Sequence, residues 1–279
     1  LDPNHFYHEY DQIIKKIESP KIFLSSNISL ILEYHKQLDK INELILKNEK
    51  KIGTTSKGIG PAYQDKVGRK CIKLYDLKSK INIEKTVQDL LSFYESVKEL
   101  IVDNSFIKKE FKNKKILFEG AQGALLDLDH GSYPFVTSSN TVSSNIVIGS
   151  AMQVDYKTVG IFKAYATRVG NGPFPSELFD NVGDYIAEKG FEIGTVTKRK
   201  RRCGWLDLVS LKYSCEINRV NELCITKADV LNNLSEIKVC KSYNSKKYED
   251  VNFSESDILE SLSLDDHDLE SFSSWGEIK

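Results

Sequence analysis

Alternation of short apolar runs with helical segments limits the fold class of this chain most strongly. Strand-like runs at 116–118, 159–162, 223–225 and 237–240 are each followed by a glycine, threonine or polar loop. Ligands of such α/β proteins bind in loops beyond the carboxyl ends of the strands. We therefore predict a central, mostly parallel sheet with helical insertions, in a single domain over residues 1–279. The acidic, serine-rich end, 252–279, is interpreted as a variable surface segment.

Apolar residues recur at three-to-four spacing in two long segments, which predicts amphipathic helices. The first helix is expected over 28–46, with Ser25, Ser26 or Asn27 as N-cap, and the second over about 82–112. A shorter helix is expected to resume at Ala62 after a glycine-rich break.

Composition excludes several classes of protein. With 39 basic and 40 acidic residues, no global field would recruit nucleic acid or an anionic membrane. The five cysteines are odd in number and form no CxxC pair, which argues against a zinc ribbon or a disulfide framework and favours a reducing compartment. No apolar run approaches a membrane span, and no signal peptide opens the chain. These observations predict a globular cytoplasmic protein without a nucleic-acid or membrane partner.

A basic run at 194–207 is the most distinctive local feature. Five consecutive cations, Lys198 to Arg202, follow Thr195 and Thr197 and lead directly into an apolar block. Arginine forks and threonine hydroxyls together suit carboxylate or phosphate oxygens. A solvated basic patch, or a nuclear-localisation-like one, is the alternative interpretation.

A second anion loop is predicted at 53–69. Glycines and the hydroxyls of Thr54 and Thr55 precede a helix start, and Lys66 and Arg69 share one face of that helix. Phosphate is the expected ligand. Because the segment is not the pattern GxxxxGK[ST], an ordinary helix-entry loop would look the same.

Two further loops offer groups suited to purines. Gln122 lies between glycines after the strand predicted at 116–118, and a hydroxyl-rich stretch begins at Thr137. Asp127, Asp129 and His130 leave a metal site open as an alternative, beside a purely structural His130.

The run at 223–225 leads into Thr-Lys-Ala-Asp, the spacing by which GTP-binding proteins recognise guanine. There the carboxylate of Asp229 would accept from N1–H and the exocyclic amine, while the stem of Lys227 covers the base. A solvated turn would have the same four residues.

Taken together, these segments resemble the adenylosuccinate synthetase family, GTP-dependent ligases that join aspartate to IMP. Residues 58–69 match the family pattern G-I-G-P-x-Y-x-x-K-x-x-R, and the resemblance extends over nearly the whole chain. It continues, in the family's order, through 119–123, 129–140, 163–175, 201–207 and 226–231.

The resemblance implies a P-loop-NTPase-like fold, incomplete in this chain, and a cytoplasmic homodimer of purine synthesis or salvage in which Arg69 enters the partner's site. It implies two catalytic residues, Gln122 and Lys66. Implied IMP contacts are Thr54, Thr55, Arg69, Gln122, Thr137, Val169 and Arg199. Implied aspartate contacts are Thr195, Val196, Thr197, Lys198, Arg199, Lys200 and Arg201, and implied GTP contacts are Arg201, Lys227, Ala228 and Asp229.

Departures from the family concern the catalytic groups. The family's phosphate loop G-D-E-G-K-G-K, which carries the aspartate base, and the histidine acid that follows it do not occur between Leu1 and Lys279. The carboxyl-terminal segment that completes the guanine pocket is missing as well. We therefore expect a piece of a longer protein, with Mg²⁺ ligands in the missing amino-terminal segment and no activity in these residues alone. Val196 stands where a threonine usually contacts aspartate, which predicts weaker aspartate binding unless Thr195 substitutes for it.

Two alternatives belong to other functional classes. A non-catalytic nucleotide-binding or dimerisation module derived from the same fold would retain the binding loops without turnover. A nucleic-acid-binding domain using residues 198–202 is disfavoured by the balanced charge and by the lack of interleaved aromatics.

Overall fold

The computed structural model describes residues 1–46, 51–79, 88–194, 199–243 and 248–252. The chain divides into two compact units, one of Leu1–Glu119 with Ile146–Gln153 and one of Gly120–Asn145 with Val154–Lys279. The single domain over 1–279 stays a prediction. The surface segment predicted at 252–279 lies, apart from Asn252, outside the described residues.

The first unit is mainly helical. Asp2 caps its first helix through the Asn4 amide, and a proline at the first helical position supports that start. A parallel pair of two-residue strands, Leu24–Ser25 (β1) and Ile101–Val102 (β2), crosses the unit. Its helices are α1 Pro3–Lys16, α2 Glu33–Ile45, α3 Ile59–Val67, α4 Gln88–Val97 and α5 Asn104–Glu110.

The first long helix is shorter than predicted, and the proposed caps at Ser25, Ser26 and Asn27 are wrong. Its start lies at Glu33 because residues 28–30 pair instead with 72–74: the Leu30 amide donates to Ile72 O at 2.9 Å. Leu30 is thereby fully buried.

The helix predicted over about 82–112 is not continuous. After α4 the chain passes through a short 3₁₀ helix, Lys98–Leu100, and β2 before α5 begins at Asn104. The predicted apolar stripe of α4 is nevertheless buried, because Leu90, Phe93 and Val97 pack with Phe6 and Leu74 in one core cluster.

The second unit contains the remaining strands. Val159–Lys163 (β3) pairs in parallel with Glu222–Thr226 (β6), so Lys163 lies beside Thr226 at the carboxyl end of the pair. A second sheet has the order β4-β5-β7-β8. Its strands are Tyr165–Arg168, Arg202–Asp207, Lys238–Tyr243 and Tyr248–Asn252.

These strands confirm the α/β class and the strands predicted at 159–162, 223–225 and 237–240. Among the described residues, three of five strand pairings are parallel. The strand predicted at 116–118 is wrong: Leu117 is 93% exposed, so no packing surface holds that run in a sheet.

Helices α7, Asn181–Lys189, and α8, Leu208–Asn218, cover this second sheet. Ile186 of α7 packs with Tyr165, Trp205 and Leu231 in a buried cluster beneath the ends of the strands. A sixth helix, α6 Asn145–Ser150, begins at the boundary of the units.

Candidate functional site

The loop before α3 is shaped by left-handed glycines. Gly53 and Gly58 have φ of 81° and 77°, and a Cβ at Gly58 would lie 2.8 Å from the backbone carbon of His35. The buried carboxylate of Asp39 accepts from the Gly58 amide at 2.9 Å. This bend lets the helix begin directly after the loop.

The predicted phosphate contacts of the first unit precede and follow that bend in sequence. Thr54 is half-buried and Thr55 is exposed, and both lie in the loop before α3. Lys66 is exposed in the last turn of α3, and Arg69 is exposed two residues beyond the end of that helix, with a left-handed φ of 61°. The prediction that the two share one helical face is wrong, because the helix ends at Val67. The Lys66 ammonium lies 5.3 Å from the Tyr63 ring centre.

A histidine links α2 to α3. His35 Nδ1 accepts from the Leu32 amide at 2.8 Å, so Nε2 carries the proton that it shares with Asp65 at 3.2 Å. Tyr34 also donates to Asp65, and this bond, with that from His35, lowers the pKa of the Asp65 carboxyl. Burial together with Asp65 raises the pKa of Tyr34 to about 12.

In the second unit, Asp127 organises the loop that carries Thr137. Its fully buried carboxylate accepts from the amides of Asp129 and His130 at 2.9 and 3.0 Å. Thr141, Val142 and Asn140 also donate to it. Burial alone would raise the pKa of Asp127, but the backbone hydrogen bonds hold it below its ordinary value.

Both carboxylate oxygens of Asp127 accept from protein donors, which gives this residue a structural role in the loop. The described residues contain no group of three His, Cys, Asp or Glu that could hold a metal ion. The metal and structural interpretations of Asp129 and His130 both stay predictions. Gln122, at the mouth of this loop, is exposed with a left-handed φ of 61°.

Arg168 joins this loop to the one that follows β4. Its guanidinium donates to Ser132 Oγ at 3.0 Å and to Phe135 O at 3.1 Å, two residues before Thr137. The same group donates to Asn171 O at 2.9 Å, and so fixes the turn beside Val169. Arg168 therefore places two predicted IMP loops in one unit.

The basic run is largely ion-paired rather than freely solvated. Lys200 pairs with Asp184 on the surface at 2.7 Å, while Arg202 binds Glu177 with both arms. Arg202, the last cation of the run, is the first residue of β5, a strand that the sequence analysis did not predict. Arg199 and Lys200 are exposed.

The tip of the run, residues 195–198, lies outside the described residues, so the predicted aspartate contacts there are not placed. Its two sides are held together: the Gly194 amide donates to Arg199 O and the Arg201 amide to Glu192 O, both at 2.8 Å. The described residues on either side of the predicted anion loop are thus hydrogen-bonded to each other.

Glu192 brings together residues from three predicted segments. Its fully buried carboxylate contacts Lys163 Nζ at 2.8 Å, Arg201 at 2.7 Å and Lys227 Nζ at 3.5 Å. The Tyr165 hydroxyl donates to it at 2.6 Å. Burial alone would raise the pKa of Glu192, but the hydrogen bonds from these donors lower it to about 2.

The predicted guanine residues follow β6 directly. Lys227 is left-handed at φ 58°, and it precedes a 3₁₀ helix, Ala228–Leu231, whose Asp229 is exposed. Parallel pairing of β3 and β6 sets Lys163 and Lys227 at the same sheet edge, where the fold class predicts ligand binding.

Comparison with known proteins bears on this arrangement. The family model of adenylosuccinate synthetase matches residues 1–86 and 74–278. The chain belongs to the adenylosuccinate synthetase family. An adenylosuccinate synthetase of Lawsonia intracellularis is 41% identical over all of this chain and 74% of its own length. One from Buchnera aphidicola of Schizaphis graminum is 44% identical over 88% of this chain and 62% of its own.

Solved structures agree with the family assignment. The fully ligated adenylosuccinate synthetase of Plasmodium falciparum has a TM-score of 0.76 and 37% identity, covering 87% of this chain and 70% of that one. The fold is therefore the P-loop-NTPase-like α/β fold of the adenylosuccinate synthetase family. A cyanophage S-2L succinoaminodeoxyadenylate synthetase shares the fold alone, with a TM-score of 0.62 at 20% identity.

Several residues that build the site were not found from the sequence of this family member. Glu192 and Arg168 lie inside or beside predicted segments, and Asp39 and His35 lie on a helix interpreted as scaffolding. For Glu192 the sequence offered one signal: it is an isolated acid two residues before Gly194 and close to the uninterrupted run of cations. Nothing local indicates that this acid is buried.

No helix among the described residues is long and apolar enough to cross a membrane.

Proposed function

We propose that the chain is the nucleotide-binding part of a GTP-dependent ligase that joins L-aspartate to IMP to give adenylosuccinate. In this reaction the γ-phosphoryl group of GTP passes to the 6-oxygen of IMP, and the amino group of aspartate then displaces phosphate. The observation that carries the proposal is the convergence of Arg201 and Lys227 on one buried carboxylate at the carboxyl end of β6.

The proposed IMP contacts are those that the family resemblance implies. Thr54, Thr55 and Arg69 carry hydroxyls and a guanidinium suited to a phosphate, and Thr137 carries a hydroxyl in the loop organised by Asp127. Gln122 presents an amide to the purine edge, and Val169 and Arg199 contact the ribose side. Lys66 and Gln122 are the proposed catalytic residues of this chain.

The segment 194–201 is proposed to supply the aspartate site, because its cations and threonine hydroxyls match a dicarboxylate. The two residues that flank its undescribed part are joined by the bond from the Gly194 amide to Arg199 O. GTP would be held by Arg201, Lys227, Ala228 and Asp229, with guanine recognised by the exposed Asp229 carboxylate.

Magnesium would neutralise the phosphates during transfer. The described residues do not fit this ion, because they contain no cluster of three candidate ligands. None of them is proposed as a magnesium ligand. The homodimer with Arg69 in the partner's site, and a cytoplasmic location, are likewise proposals.

Calorimetric titration with IMP tests the proposal on these 279 residues. We expect IMP binding that the variant Gln122→Asn weakens about tenfold, since the shorter amide tolerates the left-handed backbone but no longer reaches the purine edge. Gln153→Asn, at another exposed glutamine, is the matched control and leaves binding unchanged. A chain that binds neither IMP nor GTP contradicts the proposal.

A coupled assay with IMP, GTP and aspartate tests the predicted lack of activity. We expect these residues alone to remain far below the roughly 10 s⁻¹ of a typical enzyme. Turnover at that rate would show that residues of this chain replace the acid and base of the family's phosphate loop.

A further inference from the structure

The carboxylate of Glu192 is the common acid of three cations from separate parts of the second unit. Lys163 is the last residue of β3, Arg201 directly precedes β5 and Lys227 directly follows β6. In the ion pairs of the described residues, each of these cations has Glu192 as its acidic partner.

One negative charge among three cations leaves an excess of positive charge at this edge of the sheet. The side chains of Lys163, Arg201 and Lys227 keep 24, 28 and 38% of their surface exposed, whereas Glu192 keeps none. The acid therefore faces inward and the remaining donors face outward. An arrangement of this kind fixes cations while leaving them able to bind an anion.

Other contacts hold the same segment independently of the carboxylate. The Arg201 amide donates to Glu192 O and the Glu192 amide to Ala187 O. The ammonium groups of Lys227 and Lys163 also donate to Gly190 O and Thr167 Oγ1. Loss of the Glu192 charge should therefore remove the acidic partner of each cation, and with it the orientation of the Arg201 guanidinium above all, while the strand and loop paths remain.

We propose that Glu192 is a positioning residue for the guanine nucleotide: its carboxylate sets Arg201 and Lys227 in one orientation before the nucleotide binds. This inference rests on the proposed function, because it takes these two side chains as contacts of GTP. Tyr165 and Lys163 complete the support by holding the carboxylate from β4 and β3.

The decisive variant is Glu192→Gln, which keeps the volume and removes the charge. We expect calorimetry to show GTP binding weakened at least tenfold, with IMP affinity changed less than twofold and cooperative unfolding retained. Glu188→Gln, at an exposed acid of α7, is the matched control and leaves both affinities unchanged.

A double-mutant cycle separates positioning from general structural damage. In a Lys227→Met background, Glu192→Gln should cost less GTP affinity than in the parent chain, since one of the two side chains that it orients is gone. Equal losses in the two backgrounds would overturn the proposal. Tyr165→Phe gives a second route if Glu192→Gln does not fold: it removes one donor to the carboxylate, and GTP binding should weaken a few-fold.

The outcomes distinguish this inference from the proposed function. If the unsubstituted chain binds neither IMP nor GTP, both the proposed function and the positioning role are contradicted. If it binds IMP and GTP, and Glu192→Gln binds GTP as tightly, the positioning role alone is overturned. Binding of IMP without any binding of GTP also overturns the positioning role.

Discussion

The carboxylate of Asp39 accepts a hydrogen bond from the backbone amide of Gly58 at 2.9 Å, where the chain turns from the glycine-rich loop at 53–58 into α3. Asp39 is buried on α2, so a scaffold helix holds the entry of the loop that carries Thr54 and Thr55.

Asp39→Ala should destabilise the chain by about 1–3 kcal/mol, because it leaves a buried amide without an acceptor. Urea unfolding measures the change, and we expect weaker IMP binding with it. Asp11→Ala, at an exposed position of α1, is the control. Equal stability of the two variants would show that the Asp39 contact contributes nothing.

Gly58→Ala should cost at least about 2 kcal/mol, since a left-handed alanine is strained and its methyl group would meet the backbone of His35. Gly149→Ala provides the comparison, because a Cβ at Gly149 meets no atom within 4 Å. Thermal unfolding of both variants measures the difference. A Gly58→Ala protein as stable as Gly149→Ala would contradict the left-handed bend.

Asp127→Asn should destabilise the second unit by about 2–3 kcal/mol, because an amide nitrogen in place of either oxygen faces backbone donors. IMP binding should fall, as the loop of Thr137 loses its support, while GTP binding persists. Asp129→Asn is the matched control, since the exposed Asp129 side chain has Asn140 as its one hydrogen-bond donor within the described part of the chain. Calorimetry with IMP and with GTP measures the two affinities. An equal loss of affinity for both nucleotides in Asp127→Asn would contradict a local role of Asp127.

Acid should remove the contribution of Glu192 to stability. Its pKa is lowered from an ordinary 4.5 to about 2, so the unfolded chain binds this proton more readily than the folded one. The stabilisation is present above pH 4.5 and is lost as the pH falls towards 2. The difference in unfolding free energy between the parent and Glu192→Gln should shrink over that interval, and a difference independent of pH would contradict the pairing.

Much of the second unit could be predicted from the sequence because its signals are local. The run at 223–225 is apolar and leads through Thr226 into polar residues. The strand could therefore be predicted directly from this segment. By contrast, β5 begins at the last cation of the basic run, and a charged residue there does not indicate a strand. In the structure the charge of Arg202 is paired with Glu177.

Long-range partners explain what the sequence did not reveal. Ile41 and Ile45, two residues of the apolar stripe predicted for α2, are 50 and 74% exposed. The polar His35 and Asp39 of the same helix are instead buried, next to the glycine-rich loop at 53–58. Glu192 is stabilised by cations 9 to 35 positions away in sequence. Spacing within a segment carries no information about such partners.

Discrimination between GTP and ATP by the parent chain tests the central claim most directly. Guanine alone offers the N1–H and amine pair from which Asp229 is proposed to accept. Calorimetry should therefore give GTP at least a tenfold tighter Kd, about 1.4 kcal/mol, and Asp229→Asn should abolish that preference. Equal affinity of the parent chain for GTP and ATP, or a preference that survives in Asp229→Asn, would contradict the account.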